Sequence, residues 1–375
     1  MNSRKIIITV TLLSFFSWST PKLFRHTLAD FQSWLARQRL AAGDAEAATS
    51  LLEKSLQYVN SNPSHYYSYG KSLYAQAKDA KTPEAALDLL QQSKNAYERA
   101  AKLNPLEGNY WFRLAQTSWW LSKFKGNEHE GSKVETFFER ALAVDPKNPI
   151  FVSAIIQYYS KTGQVDRCGE YVRRLAFISP GVYGRLKEQS IWSEGVEDLF
   201  RQGLEEASGN PLTRRAALRT LAAISEDRED WAQAAAYTKR MINTYQGAID
   251  PQLYVKMGRF YLKTNNPEEA KDSFLQALRI ADNPTQMLRH IFRYFREPDA
   301  MDFYVQVCHT AAKFDETIYS NLPLILGKAY FSRAEIAMKR KDWRTAEYYY
   351  LAALKLNPDD KKLHHKLEQL RKISK

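Results

Sequence analysis

A chain of 375 residues with 44% hydrophobic and 26% charged side chains is too apolar for wholesale disorder, and long enough for two ordinary domains or one extended repeat array. Its formal net charge of +12 admits nucleic acid, anionic lipid or acidic polymer as partners. The only two cysteines, Cys168 and Cys308, offer no CxxC metal spacing and argue against an internal disulfide, and the sparse Gly and Pro (15 and 14 residues) leave long uninterrupted stretches that suit an all-α protein.

The chain opens on a short basic head, Arg4 and Lys5, followed by an apolar run from Ile6 to Trp18. This pattern makes residues 1–24 a signal peptide or signal-anchor helix. As an anchor the segment reaches Phe24 and is about long enough to span a bilayer; Ser17 and Ser19 offer a mediocre small-x-small cleavage site instead. Arg4 and Lys5 favour a cytoplasmic N-terminus, although Lys22 and Arg25 blunt the bias. In a bacterium this predicts a single-pass inner-membrane protein with its bulk in the periplasm, or, if cleaved, a periplasmic one.

From residue 29 onward the chain repeats itself at about 34 residues. Leu35, Gly43-Asp44, Ala48, Leu52 and Pro63 mark a first unit. Tyr66, Tyr69-Gly70 and Leu73 open a second, closed by Tyr97, Ala100 and Asn104-Pro105. Trp111, Leu114-Ala115 and Ser118 open a third, closed by Phe138, Ala141 and Asp145-Pro146. Val152, Ile155, Tyr159, Gly163, Cys168, Val172 and Leu175 follow Pro149; Leu218, Leu221-Ala222, Asp230-Trp231 and Ala234 mark another unit. The cleanest runs from Pro251 to Pro284, with Tyr254, Met257-Gly258, Tyr261, Ala270, Phe274 and Ala277, and Tyr330, Ala334, Ala337, Trp343, Ala346, Tyr350 and Ala353 build the last. Residues 181–210 and 285–314 keep helical periodicity without these landmarks and are expected to be helix pairs too. Residues 77–83 and 123–132 read as insertions between the two helices of a repeat, and residues 361–375 as a polar capping helix.

The spacing has a packing logic. Small residues such as Gly258 and Ala270 sit where two helices approach, and large ones such as Phe274 fill the holes around them. One pair cannot bury its apolar stripe alone, but stacked pairs can. In these landmarks the sequence resembles the tetratricopeptide-repeat superfamily over about nine tenths of its length. The resemblance implies a right-handed α-solenoid of about eight helix pairs over residues 29–360. It also implies a non-catalytic scaffold that grips a peptide or helix of a protein partner in a concave groove. Together with the leading apolar segment, the chain looks like accessory proteins of bacterial envelope machines. The opening Asn104 to Trp111 is loosely similar to periplasmic repeats of polysaccharide-assembling enzymes, which suggests polysaccharide synthesis or export as a setting.

No enzyme signature appears. His129 lacks the second histidine of a helical zinc site, the adjacent His364 and His365 face different ways on a helix, and no phosphate loop or nucleophile elbow occurs. No catalytic residue, metal or cofactor is expected. The expected partner groove lies on the first helix of each pair, between the packing landmarks: Tyr67, Lys71 and Tyr74; Phe112, Gln116 and Trp119, with Trp120 beside them; Ser153, Gln157 and Ser160; and Val255, Arg259 and Lys263. Aromatics with basic charge also suit direct binding of a glycan or anionic polymer, the alternative reading. Nucleic acid is disfavoured for want of a base-stacking pattern. The lysine and asparagine set with which one subgroup of the superfamily clamps a peptide carboxylate is not found at these positions.

Overall fold

The computed structural model describes residues 3–125, 129–295 and 300–373. Among the described residues every regular element is helical. The chain opens with α1 (Ser3–Ala41), α2 (Ala45–Tyr58), α3 (Pro63–Lys78), α4 (Pro83–Leu103), α5 (Gly108–Lys125), α6 (His129–Val144), α7 (Pro149–Lys161) and α8 (Val165–Ile178). A 3-10 turn, Pro180–Val182, and the single-turn α9 (Tyr183–Leu186) lead to α10 (Glu194–Gly209). There follow α11 (Arg214–Asp227), α12 (Trp231–Ile242), α13 (Pro251–Lys263), α14 (Pro267–Ile280), α15 (Pro284–Phe292) and α16 (Ala300–Ala312). The last three are α17 (Glu316–Lys339), α18 (Trp343–Leu356) and α19 (Lys361–Ile373). Odd and even members pack as hairpins, α1 on α2, α3 on α4, α5 on α6, α7 on α8, α11 on α12, α13 on α14 and α17 on α18. The architecture is an all-α, tetratricopeptide-like helical solenoid.

Local chemistry sets the helix ends. Asn62, Asn148, Asp250 and Asn283 each accept a backbone N–H of the following first turn, and each is followed by a proline at the first helical position. There the missing N–H costs nothing and φ is already helical. The hairpin turns share a second device: one residue with positive φ ends the first helix. It is Gly43 (85°), Gly163 (76°), Glu229 (57°), Asn265 (57°) and Lys341 (60°) in turn. The next amide then bonds back across the last helical turn, as in Asp44 N–H to Arg39 O, Asp230 N–H to Ser225 O and Asp342 N–H to Ala337 O. Asp44, Asp230 and Asp342 then cap the second helix of the pair.

The helices form two compact units, Met1–Ser179 with Glu188–Phe200, and Pro180–Lys187 with Arg201–Lys375. In the first, Gly70 lets α3 close on α4: the Tyr97 ring covers it, and Ser93 Oγ donates to its carbonyl at 2.7 Å. Ser55, His65 and Asp30 join α2, α3 and α1. His65 Nδ1 lies 3.0 Å from Ser55 Oγ and Nε2 lies 3.0 Å from Asp30 Oδ1. These are the residue types of a hydrolytic triad, but Ser55 is fully buried and donates to Ala29 O at 2.8 Å, so the group staples three helices together. In the second unit a continuous core runs from Val255 through Phe274, Tyr304, Leu326 and Tyr350 to Leu370.

Three expectations change. Residues 181–210 are not a helix pair: the first helix is reduced to the 3-10 turn and α9, because Pro180, Gly181 and Gly184 crowd its start and no amphipathic run follows. Residues 285–314 do hold two helices, α15 and α16, but these pack mainly on α14 and α17 and touch each other through Phe292 and Tyr304. Of the insertion at 77–83, residues 77, 78 and 83 belong to α3 and α4 and residues 79–82 form the turn between them, and His129 opens α6; residues 126–128 of the other insertion lie outside the described residues. At the N-terminus, α1 continues unbroken from the apolar run into the first repeat. Among the described residues, no helix is long and apolar enough to cross a membrane.

Candidate functional site

In the first unit the first helices of successive repeats touch through aromatic rings. Tyr67 on α3 lies 5.1 Å from Tyr110 on α5; Phe112 on α5 stacks on Phe151 of α7 at 4.7 Å; Trp119 on α5 meets Tyr158 of α7 edge-on at 5.6 Å. The outward stripe is legible from the exposure pattern. On α3 it runs Ser64, Tyr67, Lys71, Tyr74, Lys78; on α5, Asn109, Arg113, Gln116, Trp120, Lys123; on α7, Ser153, Gln157, Ser160. The steps alternate between three and four residues, as one face of a helix requires.

Of the expected groove residues, Tyr67, Lys71, Tyr74, Gln116, Trp120, Ser153, Gln157 and Ser160 stand on this face, with Lys71, Trp120 and Gln157 exposed. Trp119 stands at its edge, half-buried. Phe112 does not belong to it. Only 4% exposed, it is wedged between Phe151 and Phe138, because α5 has neighbours on both sides and buries a wider arc than an end helix would. The correct stripe position is one residue later, at Arg113. The Arg113 guanidinium stacks on the Phe112 ring at 5.6 Å and donates to Gln116 Oε1 at 2.9 Å. Burial raises the Tyr74 hydroxyl above its ordinary value, against the pull of the Arg113 charge and a hydrogen bond with Trp120. Lys78 lies 5.0 Å over the Tyr74 ring, and Lys123 lies over both Trp119 (4.8 Å) and Trp120 (5.3 Å). The Trp119 indole N–H is buried and has no acceptor among the described residues.

The face is electrostatically one-sided. Helices α3, α5 and α7 contain no Asp or Glu, yet carry Lys71, Lys78, Arg113, Lys123, Lys125 and Lys161. Apart from Asp30 on α1, the acids on this unit's hairpin helices sit on the second members, among them Glu46 and Glu53 on α2, Glu84 and Asp88 on α4, Glu135 and Glu139 on α6, and Asp166 and Glu170 on α8. Lys71, Lys78, Arg113 and Lys123 have no acidic partner within ion-pair distance among the described residues. This segregation is readable in the sequence once helices are sorted into first and second members of each pair; a count of net charge hides it.

Arg259 and Lys263 belong to the second unit. Arg259 is already engaged: it and Lys256 (2.8 Å) both pair with Glu226 on α11, and its guanidinium stacks near Trp231, Phe260 and Tyr294. Burial pushes the Glu226 carboxyl up, but these two cations outweigh it and hold the group below its ordinary value. Val255 is 1% exposed and part of the core, so here too the outward residue is the next one, Lys256. Lys263 is exposed, 5.9 Å over the Trp231 ring.

Residues 251–284 and residues 327–360 each match a family model described as the tetratricopeptide repeat. Among solved structures, PilW, described as a widely conserved type IV pilus biogenesis factor, is similar at 14% identity and a TM-score of 0.31, with 69% of this chain and 98% of that one covered. The C-terminal part of a TPR repeat-containing protein from Cytophaga hutchinsonii is similar at 14% identity and a TM-score of 0.32, over 80% and 99% of the two chains. No curated protein matches the chain. Residues 251–284 and 327–360 thus match the tetratricopeptide repeat, and the glycine packing of the first and the positive-φ turns of both recur elsewhere along the helices.

Proposed function

We propose that the chain is a scaffold which holds an acidic segment of a protein partner on the first-helix face of its first unit, and which α1 attaches to a bacterial envelope membrane, where it serves an assembly such as polysaccharide synthesis or export. Tetratricopeptide repeats generally mediate protein–protein contact. What carries the choice of partner is the acid-free character of α3, α5 and α7 together with their unpaired cations. An extended cationic field steers and selects a complementary anionic chain. Aromatic edges of Tyr67 and Tyr74 would take its apolar side chains, and the Gln116 and Gln157 amides its backbone. Direct glycan binding needs an open ring face, and Lys123 already covers both indoles.

The test is an anisotropy titration with a labelled peptide of alternating Glu and apolar residues against its Lys-for-Glu counterpart. Only the acidic peptide should bind, and Lys71→Glu with Arg113→Glu should weaken it at least about tenfold, which is about 1.4 kcal/mol. Equal binding of both peptides, or of the acidic peptide by the charge-reversed protein, overturns the reading. An oligosaccharide that binds regardless of these substitutions would favour the glycan alternative. For the envelope setting, a periplasmic reporter fused after residue 30 should be exported; a reporter retained in the cytoplasm removes it.

A further inference from the structure

The helix α1 has two apolar faces, and the repeat uses only one. Ala29, Ser33 and Ala36 are buried against the first hairpin. At ~100° per residue, Leu23, Phe24, Phe31 and Trp34 fall on the opposite side. All four are large and at least half exposed: 68%, 65%, 53% and 50%. Phe31 and Trp34 stack on each other at 6.1 Å, forming one continuous ledge. Arg37 and Arg39 flank it, Lys22 and Arg25 stand on the other side of the same helix, all four exposed, and the carboxylate of this stretch, Asp30, is drawn to His65.

We infer that this ledge lies in the headgroup layer of an anionic lipid surface, so that α1 runs along the membrane and holds the first repeat against it. The inference rests on the proposed membrane attachment and specifies its geometry. Three observations favour lipid over another protein. The same unbroken helix carries the apolar run Ile6–Trp18 directly upstream, so the ledge continues an apolar helix instead of forming an isolated patch. Aromatic rings flanked by cations are the composition that settles at headgroup depth. And no described helix is long and apolar enough to cross a bilayer, whereas an amphipathic helix lying in the interface need not be.

The experiment uses the full chain with an environment-sensitive NBD label on a cysteine introduced by Phe31→Cys. The native Cys168 and Cys308 are both buried, which leaves the new thiol as the reactive one. Vesicles of phosphatidylcholine with about a third phosphatidylglycerol should blue-shift and brighten the label, and pure phosphatidylcholine should do so much less. The same label on Glu53→Cys of α2 should stay in water. A Phe24→Ser, Trp34→Ser double variant should lose at least about tenfold in vesicle affinity while keeping the wild-type helical signal and melt. If the protein floats with vesicles but the label at position 31 stays aqueous, attachment is through upstream residues only, and this inference fails while the membrane reading survives. If it does not float at all, both fail. A blue shift that depends on protein concentration without vesicles would mean that a second copy covers the ledge, and also overturns the inference. Acidic-peptide binding is unaffected in every case.

Discussion

The ring of Phe274 lies directly on the backbone of Gly258: a Cβ added there would stand 2.8 Å from Cε1. Tyr97 covers Gly70 in the same way, at 2.9 Å. This contact sets how closely the two helices of a repeat approach. Gly258→Ala gains up to about 1 kcal/mol of helix propensity but overpacks a fully buried ring at a cost of about 1–3 kcal/mol. The variant should therefore melt a few degrees below wild type. Adding Phe274→Leu should make the alanine nearly neutral, so a double-mutant cycle by denaturant unfolding should show coupling of at least about 0.5 kcal/mol. A Gly258→Ala protein as stable as wild type would show that the helix spacing is set elsewhere.

Phe112 and Gln116 separate packing from recognition. Phe112→Ala should cost about 3–5 kcal/mol, because Phe151 and Phe138 cannot close over the space it leaves. Gln116→Ala and Lys71→Ala should stay within about 0.5 kcal/mol of wild type by the same melts. A mild Phe112→Ala would return that residue to the surface.

These positions also show how far the sequence could be read. The repeats at 251–284 and 327–360 were legible because packing demands small and large residues at fixed spacing, and Gly258 and Phe274 can hardly be anything else. The outward stripe was legible on α3, where Tyr67, Lys71 and Tyr74 keep the step of three and four. On α5 the expected stripe began one residue early, at Phe112, because a run of aromatic residues from Tyr110 to Phe112 gives periodicity no polar reference point. Arg113 and Lys123, not expected there, stand at the polar positions of the run Asn109, Arg113, Gln116, Trp120 and Lys123. The pairing of Arg259 with Glu226 was not visible, since it joins residues from different hairpins. Nor was the loss of a helix after Ser179.

The hairpin turns offer a stabilising substitution. Lys341 holds φ at 60°, in the left-handed region that costs a side chain about 1 kcal/mol, whereas Gly43 and Gly163 hold the same place freely. Lys341→Gly should raise stability by up to about 1 kcal/mol, less the added entropy of the unfolded chain. A falling melting temperature would mean that the lysine side chain makes a contact worth more than the strain.

The cysteines should be inert in the folded protein. Burial pushes the Cys308 thiol up to about 12 and raises Cys168 as well. At pH 7.5 neither presents thiolate or surface to a reagent. Maleimide labelling should follow the rate of unfolding and speed up in step with urea; fast labelling of either in the native protein contradicts the packing around it.

His65 gives the fold a pH dependence whose sign can be fixed. Its Nε2 faces the Asp30 carboxylate, which can only accept, so the proton of the neutral ring sits on Nε2. Nδ1 faces the Ser55 hydroxyl, whose single proton is shared between Nδ1 and the Ala29 carbonyl. Burial lowers the pKa of the ring from 6.5; the hydrogen bond and charge of Asp30 oppose the shift, while Arg37 and His26 add to it. Since the folded value lies below the unfolded one, the unfolded chain takes up the proton first as pH falls. The contribution of His65 is thus complete above 6.5 and declines from there down to the lowered folded value. Unfolding free energy measured between pH 7.5 and pH 5 should fall more steeply in wild type than in His65→Gln. That variant should already be less stable at pH 7.5, by about 1–3 kcal/mol, because Asp30 and Ser55 lose a shared partner. Asp30→Asn should lower the ring's pKa further and extend the decline to lower pH. Parallel pH profiles for wild type and His65→Gln would show that the staple does not titrate.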